Sequence, residues 1–158
     1  MSNDNNKIID TLTEGHTRIR SKMYLLEYPA ASLEKVRDSL MAKFKLERYL
    51  IKKERCQDRP DHLLIFLEFE DKQDIYATKF SLTIEGVLLS GCYRSVTDKE
   101  IALLYILKSS NKPDYITNMS NDIISKYLCL LEYRGENVEA VLTPAAITAI
   151  TVDSVHSK

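Results

Sequence analysis

Apolar residues recur along this chain with two periods, and each change of period marks a boundary between elements. MYLLEYP, from Met23 to Pro29, predicts a first strand that Pro29 ends. Ser32 is a good helix N-cap. Beyond it Leu33, Val36, Leu40 and Phe44 step at helical spacing, with charges between them, which predicts an amphipathic helix to about Lys45. RYLIKKE, Arg48 to Glu54, returns to a strand. RCQDRPD is a turn in which Pro60 bars a continuous helix. HLLIFLEFE, His62 to Glu70, is the strongest strand of the chain. It sets Leu63, Ile65, Leu67 and Phe69 on one face and His62, Leu64, Phe66, Glu68 and Glu70 on the other.

DKQDIYATKF, Asp71 to Phe80, predicts a short helix, and SLTIEGVLLSGCYR one or two strands broken at Gly86 and Gly91. Thr97, with Glu100 three residues on, predicts a capping box for a helix from about Asp98 to Ser109. On it Ile101, Leu104, Tyr105 and Lys108 form one stripe. Asn111-Lys112-Pro113 breaks that helix. Ile116 to Tyr133 predicts a third, ended by Gly135, and Val138 to Val152 has no definite pattern.

This order of elements predicts an α+β fold. An antiparallel sheet with packed helices is expected, in a ferredoxin-like or split β-α-β arrangement. The expected organisation is a mobile leader over 1–22, a domain over 23–112 and a helical extension or tail over 113–158.

Composition narrows the classes. An apolar fraction of 44% supports a real core, and the shortage of turn formers, four Gly and four Pro, argues against an all-β sandwich. The net charge of −1 leaves any nucleic-acid binding to a local patch. Cys56, Cys92 and Cys129 are odd in number and far apart, which argues against a disulfide framework or zinc knuckle and for a reducing compartment. No apolar run follows the start, so no signal peptide is expected, and no stretch approaches the roughly 18 apolar residues of a membrane span.

The candidate chemistry lies between Tyr49 and Lys108. If the strands ending at Glu54 and starting at His62 pair across their short loop, both side chains reach one end of the sheet. They would then be two ligands for Mn2+ or Mg2+. The competing reading is a solvated glutamate and an ordinary strand-end histidine. Tyr105 can attack a phosphodiester if its hydroxyl meets the phosphate in line, with Lys108 one turn on to place it. The competing reading is a tyrosine packed on the sheet. Lys43, Arg48, Lys52, Lys53, Arg55 and Arg59, joined by Arg94 beside Tyr93, are the candidate DNA contacts. Cations interleaved with aromatic residues suit single-stranded DNA, and an ordinary solvated basic face is the alternative. There is no P-loop, G-x-G-x-x-G after a strand, G-x-S-x-G or H-E-x-x-H.

Over Met23 to Asn111 the chain resembles the HUH endonuclease domain of the Rep proteins of small circular single-stranded DNA viruses, of circovirus, nanovirus and geminivirus type. MYLLEYP stands where that family has its first motif, usually Phe-Thr-Leu-Asn-Asn-Pro, and only the aromatic, a Leu and Pro29 correspond. YLIKKE is similar to the strand of the metal-binding glutamate, here Glu54. RPDHLLIFLEFEDKQ is similar to the second motif, with its first ligand at His62 and Leu64 where the family has a second His or a Gln. YILKSSN matches the third motif, Tyr-x-x-Lys, at Tyr105 and Lys108. The resemblance implies a rolling-circle replication initiator that nicks and joins single-stranded or hairpin DNA through a tyrosine, with Mn2+ or Mg2+. It also implies an intracellular location, the host nucleus if the chain is viral. An inactive DNA-binding domain of the same fold and a non-enzymatic interaction protein are the alternatives.

Overall fold

HLLIFLEFE has no solvent side from His62 to Phe69, because all eight residues are buried. A strand buried on both faces must lie inside a sheet that is covered on both faces. The computed structural model, which describes residues 18–55, 58, 60–108 and 114–134, shows how the chain does this. Its elements run β1 (Arg18–Pro29), α1 (Leu33–Lys43), β2 (Leu46–Glu54), β3 (His62–Tyr76) and a 3-10 turn (Ala77–Phe80), then β4 (Leu82–Ile84), β5 (Val87–Leu89) and β6 (Cys92–Ser95). They end with α2 (Lys99–Leu107), β7 (Tyr115–Thr117) and α3 (Asn121–Arg134).

Five strands form an antiparallel sheet in the order β6-β1-β3-β2-β7, and β4 and β5 pair as a separate hairpin. β3 lies between β1 and β2 and is antiparallel to both, so β1-α1-β2 is a split β-α-β unit. The fold is α+β, with helices packed on an antiparallel sheet in a ferredoxin-like manner. α1 and the 3-10 turn cover one face. There Val36, Leu40 and Phe80 pack with Tyr24, Leu63 and Phe69. α2 and α3 cover the other, where Leu103, Ile106 and Ile124 pack on Leu25, Leu64 and Phe66. Among the described residues no helix is long and apolar enough to cross a membrane.

The α1 face is rich in aromatic rings. Phe80 contacts Tyr24, Phe44 and Tyr93 at centroid distances of 5.0, 5.5 and 5.3 Å. Such contacts contribute about 0.5–1.5 kcal/mol each beyond area burial. The buried Tyr28 hydroxyl donates to the Phe80 carbonyl and ties the 3-10 turn to β1. Burial pushes the Tyr28 and Tyr24 phenols well above the ordinary range. Glu85 and Gly86, both with positive φ, make the two-residue turn of the β4-β5 hairpin. Gly91 lets β6 meet β1, because a Cβ there would lie 1.7 Å from the Glu27 carbonyl oxygen.

Several boundaries differ from those the sequence pattern predicts. β1 starts at Arg18, inside the expected leader, with Ile19 and Ser21 buried. The reason is on β3, which runs on to Tyr76 instead of turning helical at Asp71. Past a bulge between Ser21 and Met23 it pairs with residues 18–21, and Asp74 bridges Arg18 and Arg20 at 3.4 Å each. Only Ala77–Phe80 of the expected helix coils. The cap of α2 is Asp98, whose carboxylate accepts from the Ile101 amide, in place of Thr97. The expected third helix is split. Tyr115–Thr117 pairs with β2, and α3 begins only after Ser120, whose carbonyl accepts from the Ile123 and Ile124 amides. The sheet thus continues past the boundary expected at 112. Residues 1–17, Arg59 and the expected tail after 134 lie outside the described residues.

Candidate active site

Glu54 and His62 are direct cross-strand partners on neighbouring antiparallel strands. Two residues further along β3, Leu64 stands between Glu27 on β1 and Lys52 on β2. Directly opposed residues share a sheet face, as do residues i and i+2. Glu27, Lys52, Glu54 and His62 therefore belong to the face of Leu25, Leu50 and Leu64, which α2 covers. His62 Nε2 lies 3.1 Å from Glu27 Oε1 and 3.6 Å from Glu54 Oε2. The first distance is a hydrogen-bonding one. The second is an electrostatic approach. The His62 side chain is only 11% exposed, so this contact is made largely out of water.

Lys52 lies beside this group and is buried at 3% exposure. Burial lowers its pKa, Glu54 opposes that shift and Lys108 adds to it. The charge of Lys108 therefore reaches the patch from the end of α2. Lys108 Nζ also lies 4.4 Å from the centre of the Tyr105 ring. Tyr105 is half-buried. Its stripe on α2 faces α3, where Leu104 packs with Tyr105, Tyr127, Leu130 and Leu131. Ala102, Leu103 and Ile106 turn to the sheet instead. Tyr105 is thus held at the seam of α2, α3 and the sheet.

Glu27 is the member of this site that the sequence pattern did not single out. A carboxylate inside an otherwise apolar strand, in phase with the His62 face, was the available signal. Leu64, at 1% exposure, belongs to the apolar cluster and offers no ligand. Two carboxylates and an imidazole suit a hard or borderline divalent ion. Here they close on one another. Among the described residues no group of three or more His, Cys, Asp or Glu side chains could hold a metal ion.

The candidate DNA contacts do not form one patch. Lys43 is exposed at the end of α1 and donates to the Ser81 carbonyl, and Lys53 lies on the α1 face. Arg55 is exposed, with Asp114 at 3.7 Å. Arg94, opposite Leu25, is on the α2 face. Arg48 is on that face too, held at 2.9 Å by Glu68, which also takes Lys99 at 3.1 Å. With Lys52 buried and Arg48 held by Glu68, the candidate cations left at this face are Arg94 on β6 and Lys108 at the end of α2. No model of a known protein family matches the chain, and none of the curated proteins compared with it is significantly similar.

Proposed function

We propose that this chain nicks and joins single-stranded DNA through Tyr105, in the manner of the rolling-circle initiators it resembles. The observation that carries the reading is the direct pairing of Glu54 with His62 on the face that the Tyr105 helix covers. Glu54 and His62 would hold Mn2+ or Mg2+, and the ion would supply Lewis-acid polarisation of the scissile phosphate. Tyr105 forms the new oxygen–phosphorus bond. The phosphorus–O3′ bond breaks, and the phenolic proton ends, through solvent, on the freed 3′-hydroxyl. The phosphotyrosine ester keeps the bond energy, so the reverse attack rejoins the strand. Lys108 would neutralise charge on the phosphate and the developing phenolate.

A second reading is a Rep-like domain that binds origin hairpins without cutting them. The burial of Leu64 in the core favours it, since that position cannot ligate. One assay separates the two. Single-stranded DNA and Mn2+ should give a covalent adduct that survives denaturation. Tyr105→Phe should abolish the adduct while leaving DNA binding within about twofold, because only the nucleophilic oxygen is lost. DNA binding without any adduct selects the second reading. No binding at low salt removes both and leaves an interaction protein.

A further inference from the structure

We propose that the ribbon formed by the first residues of β1 and the last of β3 grips single-stranded nucleic acid, stacking a base on Tyr76 and pairing phosphates with Arg18 and Arg20. This contact lies away from Tyr105 and depends neither on nicking nor on a metal ion. Arg18 stands opposite Tyr76, and Arg20 opposite Asp74. Ile19 and Ile75, the pair between them, point the other way and are buried in the α1-side core with Phe80. One face of the ribbon is therefore anchored, and the other carries Arg18, Arg20, Asp74 and Tyr76 in the open. The backbone is anchored as well. The Tyr24 hydroxyl donates to the Ile19 carbonyl at 2.8 Å and accepts from the Ser21 amide at 3.1 Å. A platform held in this way loses little freedom when a ligand settles on it.

The charges on the open face do not balance. Arg18 and Arg20 share a single acid, Asp74, at 3.4 Å each, and both side chains are more than half exposed. Lys22, exposed at the bulge, adds a third cation. Its nearest acid, Glu47, is 3.8 Å away and also bridges Arg48. Ion pairs this long and this wet are worth little, so they yield readily to a phosphate. Tyr76 is 45% exposed, and the Arg18 guanidinium carbon lies 5.1 Å from its ring centre, a cation–π contact. An exposed ring beside guanidinium groups that outnumber their acid suits a single strand of any sequence. Every base has a face to stack, and every phosphate a charge to pair. A duplex hides its base faces and an acidic peptide offers none, so neither uses the ring. His62 and Tyr76 are the two ends of β3. At about 3.3 Å per residue the ribbon is roughly 40 Å from the His62 end, too far to belong to that site.

Fluorescence anisotropy of the full chain with a labelled oligothymidylate of about 20 nucleotides, at low salt, tests this. Arg18→Gln combined with Arg20→Gln should weaken binding by at least about tenfold and flatten its salt dependence, because two phosphate contacts are lost. Tyr76→Leu keeps bulk but has no aromatic face. It should weaken binding by at least about fivefold, and Tyr76→Phe should recover most of that loss. Asp74→Asn removes the competing acid and should tighten binding by at least about threefold, a gain that misfolding does not produce. Unchanged affinity in the double arginine variant or in Tyr76→Leu, or no gain in Asp74→Asn, overturns the inference. So does a duplex, or polyglutamate, that binds as tightly as the single strand. No binding by the wild type overturns it together with the DNA readings above. Binding that depends on Arg18, Arg20 and Tyr76, with no covalent adduct at Tyr105, overturns the nicking and leaves this contact standing.

Discussion

The two ends of the buried run of β3, His62–Phe69, carry buried charge on the same face of the strand, and they are built in opposite senses. At the inner end the Glu68 side chain, 6% exposed, sits between two cations, Arg48 from β2 and Lys99 from α2. The acid is fully served, and the contacts fasten the start of α2 to the sheet. At the His62 end the central group is an imidazole and its two neighbours are carboxylates. Lys52 is buried alongside with its ammonium disfavoured by that burial. A charged cluster that completes itself with protein cations holds structure together. At the His62 end acids outnumber the base, and on the proposed nickase reading Glu54 and His62 would take a cation from solution.

That contrast predicts different consequences for similar mutations. The largest effect is expected at the join of β1 and β6. Gly91→Ala puts a methyl group 1.7 Å from the Glu27 carbonyl oxygen, and backbone must move to relieve it. We expect a loss of about 3 kcal/mol in urea unfolding, together with weaker Mn2+ binding, because Glu27, which contacts His62, shifts with its strand. Normal metal affinity in this variant would detach the His62 end from β1.

Glu68→Gln comes next. It takes the charged partner from Lys99 and from Arg48, but Arg48 keeps Glu47 at 3.2 Å and both cations are more than a third exposed and can rehydrate, so the expected cost is about 2 kcal/mol, below that of a wholly buried pair. Mn2+ affinity should not change, and a parallel loss of affinity would erase the division between the ends.

Lys52→Met should raise stability by about 1 kcal/mol at neutral pH, by removing a buried charge. The sign follows from a folded pKa lowered below the ordinary 10.5. Below the folded value both states carry the proton and the burial cost stands in full. As pH rises from there toward 10.5 the folded chain releases its proton first, so the wild type gains stability and the advantage of Lys52→Met shrinks. Tyr24 and Tyr28 work the other way above their ordinary value of 10.0, where the unfolded chain ionises first and stability falls. Melting curves of both proteins from neutral pH to near pH 10 check this. An advantage that grows with pH contradicts it.

Glu54→Gln is the smallest expected change in stability, about 1 kcal/mol or less by urea unfolding: its approach to His62 is 3.6 Å, and the change also removes its attraction for Lys52. It should nevertheless cost most of the metal affinity. Small stability cost with large functional cost is the signature of the His62 end, and Glu68→Gln should show the reverse.

The central part of the fold was legible because its signals were local. The alternation in HLLIFLEFE placed both faces of β3, and the short loop after Glu54 placed its partner strand. The features that were missed depend on distant partners. Nothing within residues 18–22 announces a strand, since Ile19 and Ser21 are buried only because β3 runs on to Tyr76. The sequence Tyr115–Thr117 looks helical until β2 offers an open edge. Glu27 went unnoticed for the same reason. Its meaning comes from a histidine 35 residues away, and only the sheet register brings the two together.

The most direct test is diffraction from crystals soaked in Mn2+, with data collected to locate the ion by its anomalous signal. A single peak bonded to Glu54 and His62, with Glu68 still between Arg48 and Lys99, is the result that the proposed function predicts. A peak elsewhere, or none with His62 still closed on its two glutamates, would contradict it.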